Sequence, residues 1–320
     1  MIRSRASWCA LVGLVATSSL LSACSTEAPS ASSGVKSSTI TKIGFTVSDL
    51  SNPFFSAMEQ EVNAQAQKIG ATVNAQDGRQ NLAAQNTQIS TFIQQGVQVI
   101  FLDAVDSKGI GPAVESAKKA GIIVIALGDN ASGVDAFVGV DNTQAGATAC
   151  KELATKMGGS GDIAIIDGTA ISAVQDRVTG CNIALKAFPD VHVVASPHGD
   201  NSIGKGQTVA ADVYTAQSNL KGLFGINDPT ALGAILAANQ AKLSGLTVVS
   251  VDGSPAAVTE IKKSASLLYG TASQDPRAMA ATGMKVAQKL LKGDKLETTQ
   301  VLLPSKFIKA GNVGTYQGWQ

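Results

Sequence analysis

At 320 residues, with 44% apolar and 15% charged side chains, the chain has the make-up of a folded globular protein long enough for two domains, which excludes a disordered or membrane-embedded one. Its formal net charge is +1, and Lys and Arg are scattered without a basic block, so the electrostatic footprint of a nucleic-acid binder is absent.

The chain opens with Arg3 and Arg5, an apolar run over 8–16, and then Leu21-Ser22-Ala23-Cys24. This is the layout of a secretory signal over residues 1–23. The run is broken by Thr17, Ser18 and Ser19 and is too short for a membrane span, which takes about 20 apolar residues. Leu-Ser-Ala-Cys is similar to the bacterial lipobox, which implies a lipid on Cys24 and an extracytoplasmic protein anchored to the cell membrane. Residues 24–38 are mostly Ser, Thr, Ala, Pro and Gly, a composition that predicts a flexible tether. Of the four cysteines, Cys9 leaves with the signal and Cys24 takes the lipid. Cys150 and Cys181 then remain in a compartment where disulfides persist. They are free to pair; two buried thiols on helix faces are the alternative, because sequence does not place two Cα atoms within bridging distance.

From Lys42 onward, short β-rich runs alternate with helical patterns, the signature of βαβ units around a parallel sheet. Strands are predicted at 43–47, 72–75, 97–102 and 122–126, with helices at 53–69, 82–95 and 108–120 between them. Gly70, Gly96 and Gly121 supply helix stops, and Asn52-Pro53 supplies a cap followed by a first-turn proline. A similar series follows a run at 135–140. Its strands are near 162–166, 191–195, 222–226, 246–251 and 267–271, and its helices near 145–157, 173–188, 203–217, 229–241, 255–264 and 276–291. So many strands fit two sheets better than one, because twisted open sheets rarely exceed about 10 strands. The fold class is therefore α/β, with two doubly wound parallel-sheet lobes.

In such sheets ligands lie beyond the carboxyl ends of the strands. Those positions are polar here: Ser48, Asp49 and Asn52; Asp103 and Asp106; Asp129 and Asn130; Asn227 and Asp228; Asp252; and Gln274. Carboxylates accept several O–H donors and amides both donate and accept, which suits a hydroxyl-rich ligand. For Asp106, Asn130 and Asp228, capping of the next helix is an equal alternative. Phe54 and Phe55 place aromatic faces at the start of the first helix, suited to the C–H face of a sugar. Signatures of catalysis are missing: His192 and His198 have no partner at metal-ligand spacing, and there is neither a Gly-x-Ser-x-Gly elbow nor a phosphate-binding loop. Gly109-Ile-Gly111 is a broken glycine fingerprint, with Pro112 inside it and Val114 at the third glycine position. Acid–base work by Asp103 and Asp106 is the one enzymatic alternative left open.

The order of motifs resembles the ribose-binding-protein family, the substrate-binding components of sugar ABC importers. The resemblance rests on the segment 43–55 with Asn52-Pro53-Phe54-Phe55, on Asp176-Arg177 with Gly180, on Asn227-Asp228, on Val251-Asp252-Gly253 and on Ser273-Gln274. It implies a periplasmic-binding-protein type I fold with a three-stranded hinge. The chain would cross near 141–142, near 274–275 and near Pro304. That gives a first lobe of residues 39–142 with 275–303 and a second of 143–274 with 304–320. It also implies that Asn52, Arg177, Asn227, Asp252 and Gln274 hydrogen-bond a small sugar or polyol while Phe54 and Phe55 pack on it. Ser48, Asp129 and Asn130 complete the expected site. Gly128-Asp129-Asn130 stands where pentose binders of the family carry Asp-Arg, and Gly199-Asp200-Asn201 where a second-lobe aromatic usually closes the sandwich. These departures point to another ring or to an open-chain polyol. The expected partners are this ligand, an importer permease and the membrane through the lipid; no cofactor, metal, nucleic acid or second subunit is expected. A DNA-binding regulator with the same core is disfavoured by the signal where its reading helix would stand, and a sensor docking on a membrane receptor is the alternative function.

If Cys24 carries the lipid, Cys24→Ser should move the protein from the membrane to the soluble fraction of fractionated cells; a variant that stays with the membrane overturns the assignment.

Overall fold

The structure is a computed structural model that describes residues 39–316, 318 and 319. The expected signal, tether and lipidated Cys24 lie outside the described residues. The first half runs β1 (Lys42–Val47), α1 (Pro53–Lys68), β2 (Thr72–Asp77), α2 (Leu82–Gln95), β3 (Val99–Leu102), α3 (Gly111–Lys119), β4 (Ile123–Leu127) and β5 (Ala136–Val140). The second runs α4 (Asn142–Lys156), β6 (Ser160–Ile166), α5 (Ser172–Leu185), β7 (Asp190–Ala195), α6 (Ile203–Ala216), β8 (Leu220–Gly225), α7 (Asp228–Gln240), β9 (Thr247–Asp252), α8 (Pro255–Ile261) and β10 (Leu268–Ser273). The chain then adds α9 (Pro276–Lys292), β11 (Gln300–Leu303) and β12 (Phe307–Lys309).

Two six-stranded sheets result, ordered β11-β5-β4-β3-β1-β2 and β12-β10-β9-β8-β6-β7. All pairings are parallel except the antiparallel β10–β12 edge. The central strands are apolar on both faces, as a sheet covered by helices on both sides requires. In β3, Val99 and Phe101 face a core shared with α1 and α9, while Ile100 and Leu102 face one shared with α2 and α3. The second sheet is sandwiched likewise, by α6, α7 and α8 on one face and by α4 and α5 on the other. The chain passes between the sheets three times, from β5 to α4, from β10 to α9 and from β11 to β12.

Several elements differ from the sequence reading. α3 starts at Gly111 instead of 108, because the Asp106 carboxylate accepts from Lys108 N and Gly109 N at 2.9 and 2.7 Å and turns the chain first. α5 and α8 stop short of 188 and 264. β11 and β12 carried no strand prediction, being edge strands of only four and three residues.

α4 and α5 pack backbone to backbone. A Cβ at Gly146 would collide with the main chain of Arg177, and one at Gly180 with that of Thr143, so only glycine lets the two helices approach. The same pair is joined covalently: Cys150 and Cys181 form a disulfide with Cα atoms 5.0 Å apart.

The bond closes a loop of 31 residues, which by loop-closure entropy stabilises the fold by roughly 3–4 kcal/mol. Urea unfolding with and without reductant, and of a Cys150→Ala/Cys181→Ala double variant, should show a loss of that order.

Candidate functional site

The carboxyl ends of both sheets face one seam, and there the polar side chains converge. Eight of the ten expected ligand residues, Asn52, Phe54, Phe55, Asp129, Arg177, Asn227, Asp252 and Gln274, line a single cavity of about 50 Å³. Asp103 and Asn201 join them. Through Asn52, Phe55 and Asn201 the cavity adjoins a groove of about 590 Å³ with largely apolar walls, among them Ile203, Leu232 and Pro255. We place the site in the smaller space, because the charged groups and the unpaired acceptors lie there.

Local structure aims each group. Asn52 caps α1, its Oδ1 accepting from Phe54 N at 3.0 Å, which leaves its amide N–H groups for the cavity. Phe54 and Phe55 meet edge to face at 5.3 Å and are nearly buried. Gly128 makes room: with φ +83°, it sits where a Cβ would come within 3.2 Å of the Phe54 ring and 3.3 Å of Asp103 Oδ2. Ser48 lies outside the cavity and acts on it indirectly, its Oγ donating to Asp103 Oδ1 at 3.1 Å. Asn130 also lies outside, beside Ser172 at the lobe seam. Asn227 lines the cavity, but its polar atoms are engaged: Oδ1 caps α7 through Thr230 N and Nδ2 donates to Asn201 O, both at 3.0 Å. Asp228, with the capping alternative open, is an internal strut instead. It accepts from Ser250, Thr271 and Ser254 N beneath the cavity.

Asp252 is the centre of the second-lobe wall. Its backbone holds φ +138°, a region that disfavours side chains, so the surroundings must impose it. Gln274 Nε2 donates to Oδ1 at 2.7 Å, Asp228 N to Oδ2 at 3.3 Å, and Arg177 Nη1 stands 3.5 Å from Oδ1. Arg177 is itself fixed by Asn142 Oδ1 at 2.9 Å and Ile226 O at 3.0 Å. Burial pushes the Asp252 carboxyl up to about 7 against the pull of Arg177. Burial likewise raises Asp103 well above the usual range, reinforced by the charge of Asp129, and raises Asp129. Burial lowers the Arg177 guanidinium, opposed by the four nearby carboxylates Asp252, Asp228, Asp129 and Asp103.

Sequence reasoning missed Trp319. Its Nε1–H donates to both Asp252 O and Gln274 O, at 3.1 and 2.8 Å, and its ring meets Phe54 edge to face at 5.5 Å. The expected second-lobe span includes this residue, yet its ring packs in the first-lobe core. Arg277 Nε holds it by donating to Trp319 O at 2.9 Å. The available signal was rarity, because the other tryptophan, Trp8, falls in the expected signal. Asp103 was noted at a strand end without being assigned to the site, and Asn201 only as part of a departure from the family pattern. Among the described residues no cluster of metal-ligating side chains occurs, and no helix is long and apolar enough to cross a membrane.

The sequence profile of the periplasmic binding protein domain matches residues 43–295, which span both lobes and the polar seam between them. The chain belongs to this family. It is 31% identical to the ribose import binding protein of Bacillus subtilis, over 88% of this chain and 92% of that protein. It is 28% identical to a xylitol-binding protein of Mycolicibacterium smegmatis, over 90% of this chain and 82% of that one. A solute-binding protein of Mycobacterium smegmatis with bound glycerol superposes with a TM-score of 0.83 at 28% identity, covering 88% of this chain and 98% of that one. Family membership makes the protein an extracytoplasmic solute-binding component of an ABC importer, not an enzyme.

The raised Asp252 carboxyl sets a pH dependence. Hydroxyl ligands need it ionised, so affinity should fall as pH drops below about 7, by up to about tenfold per unit. For stability the sign is opposite: the folded-state value lies above the ordinary 3.8, so this contribution is full below that value and is lost as pH rises through about 7. Calorimetric titration between about pH 5.5 and 8 checks the first statement, and Asp252→Asn should bind more weakly with a flatter profile.

Proposed function

We propose that this protein captures a small neutral polyhydroxylated molecule, a sugar or sugar alcohol, between its lobes and hands it to an importer permease while a lipid on Cys24 holds it at the membrane. The observation that carries the reading is a surplus of acceptors. Asp103 and Asp252 face the cavity against one guanidinium, Arg177, and buried Gln274 Oε1 and Asn201 Oδ1 have no hydrogen-bond partner. The Gln274 amide cannot turn to relieve this, because its Nε2 is held by the Asp252 carboxylate. A lining of this kind repels carboxylates and phosphates and calls for a ligand rich in O–H donors.

Within that class an open-chain polyol is favoured over ribose. The aromatic rings at the cavity, Phe54 and Phe55, come from one lobe, while the opposite wall is Ile171, Ala173, Val174 and Asn201. A flat ring therefore has no second face to stack on. Gly128-Asp129-Asn130, where pentose binders of the family carry Asp-Arg, leaves the site without that Arg donor fork. The likeness to a xylitol-binding protein and to a protein that holds glycerol supports the same choice.

A thermal-shift panel of pentitols, glycerol, pentoses, hexoses and inositol should give its largest shift with a polyol, since a ligand at a hundred times its Kd adds about 2.7 kcal/mol of stability. With that ligand, Asp252→Ala should weaken binding roughly ten- to several-hundred-fold, the loss of one or two charged hydrogen bonds. Asn52→Ala should weaken it too and cost about 1 kcal/mol of stability through the α1 cap. Unchanged affinity in both variants, with normal melting, would place the site elsewhere.

A further inference from the structure

One group of hydrogen bonds across the seam is not explained by contact with a ligand. α5 begins at Ser172 with Ile171 in the capping position, and no side chain of its own segment caps it. Its first N–H groups therefore need an acceptor from elsewhere. The acceptor comes from the other lobe. Asp129, just beyond β4, accepts from Ala173 N at 2.7 Å and Ser172 Oγ at 2.6 Å through Oδ1, and from Ser107 Oγ at 2.5 Å through Oδ2. Ser107 Oγ accepts in turn from Ser172 N at 2.9 Å, and Asn130 N donates to Ser172 Oγ at 3.1 Å. Asp129 is 1% exposed, so the carboxylate itself is shielded from water.

We propose that Ser107, Asp129 and Ser172 form an interlobe clasp, a helix cap split between the two lobes, that stabilises the closed form before ligand arrives and sets how long a bound ligand stays. When the lobes part, α5 loses its only side-chain cap and Asp129 keeps only Ser107 of its own lobe as a donor, so the bonds to Ser172 and Ala173 belong to the closed form alone. A carboxylate at a helix N-terminus also gains from the helix dipole. Arg177 sits further along α5, so the clasp that docks this helix also brings the guanidinium towards the first-lobe acids Asp129 and Asp103. The role of Asp129 thereby shifts from a ligand contact to a positioning group: both of its oxygens are already engaged across and beside the seam. A larger closed fraction raises apparent affinity in proportion, and bonds made only after closure appear in the dissociation rate.

The proposal rests on the solute-binding reading, but one arm of its test needs no ligand. Ser172→Ala and Ser107→Ala alter the clasp without touching the cavity lining. Small-angle scattering of the unliganded protein should show wild type with the smaller radius of gyration and both variants, together with Asp129→Ala, shifted towards the open form. In stopped-flow experiments with xylitol as probe, Trp319 fluorescence should report dissociation roughly tenfold faster in Ser172→Ala, the size expected for one charge-assisted hydrogen bond. Association should stay within about twofold, and Ser172→Thr, which keeps the hydroxyl, should restore the slow rate. Scattering and dissociation unchanged in Ser172→Ala and Ser107→Ala would overturn the clasp. If wild type binds no xylitol, the choice of ligand fails, and the scattering arm alone decides the clasp.

Discussion

A single buried guanidinium organises this molecule. Carboxylates in a dry seam are costly unless donors surround them, and Arg177 is the cation that Asp252, Asp228, Asp129 and Asp103 share. Its position leaves little slack: Nε is held by Asn142, at the first crossing between lobes, and Nη1 by the carbonyl of Ile226 beyond β8. The glycines that let α4 and α5 touch, and the disulfide joining those helices, fix the backbone on which it stands. Much of the second lobe serves to hold one charge in place.

That one charge is outnumbered, and the imbalance gives the seam its chemistry. Backbone N–H groups, serine hydroxyls and the Gln274 amide satisfy part of the deficit. The remaining acceptors face the cavity, where only a ligand can supply donors. Selectivity for a neutral hydroxylated molecule thus follows from the electrostatics of burial as much as from shape. The Phe54, Phe55 and Trp319 rings add an apolar floor that excludes water beside these acceptors.

The two lobes contribute unequally to this arrangement. The first supplies the aromatic rings, the Asn52 cap and the acids Asp103 and Asp129; the second supplies Arg177, Asp252 and the N-terminus of α5. Neither half is electrostatically complete when the lobes are apart, which couples closure to the filling of the site. The end of the chain reinforces the coupling, since Trp319 packs with the first lobe while its indole N–H is bound to carbonyls at the ends of β9 and β10.

The sequence by itself determined the alternation of strands and helices, the caps at Asn52 and the glycine stops, and the location of the site at strand ends, because these depend on local backbone preference and on hydrophobic period. It also narrowed the ligand class, since the residue types after each strand are readable without coordinates. Only the tertiary structure decided what each polar group does. Ser48, Asp106, Asn130 and Asp228 all follow strands as Asp252 does, yet their partners are protein atoms, and a strand end looks the same in sequence whether its side chain turns to a cavity, a helix or a turn. Trp319 reaches the site from the far end of the chain through a crossing that no local pattern encodes. The bond between Cys150 and Cys181 needed the close approach of α4 and α5, and the second lobe's claim on Asp129 needed both sheets in place, because contacts between residues distant in sequence are fixed by packing and not by any neighbour along the chain.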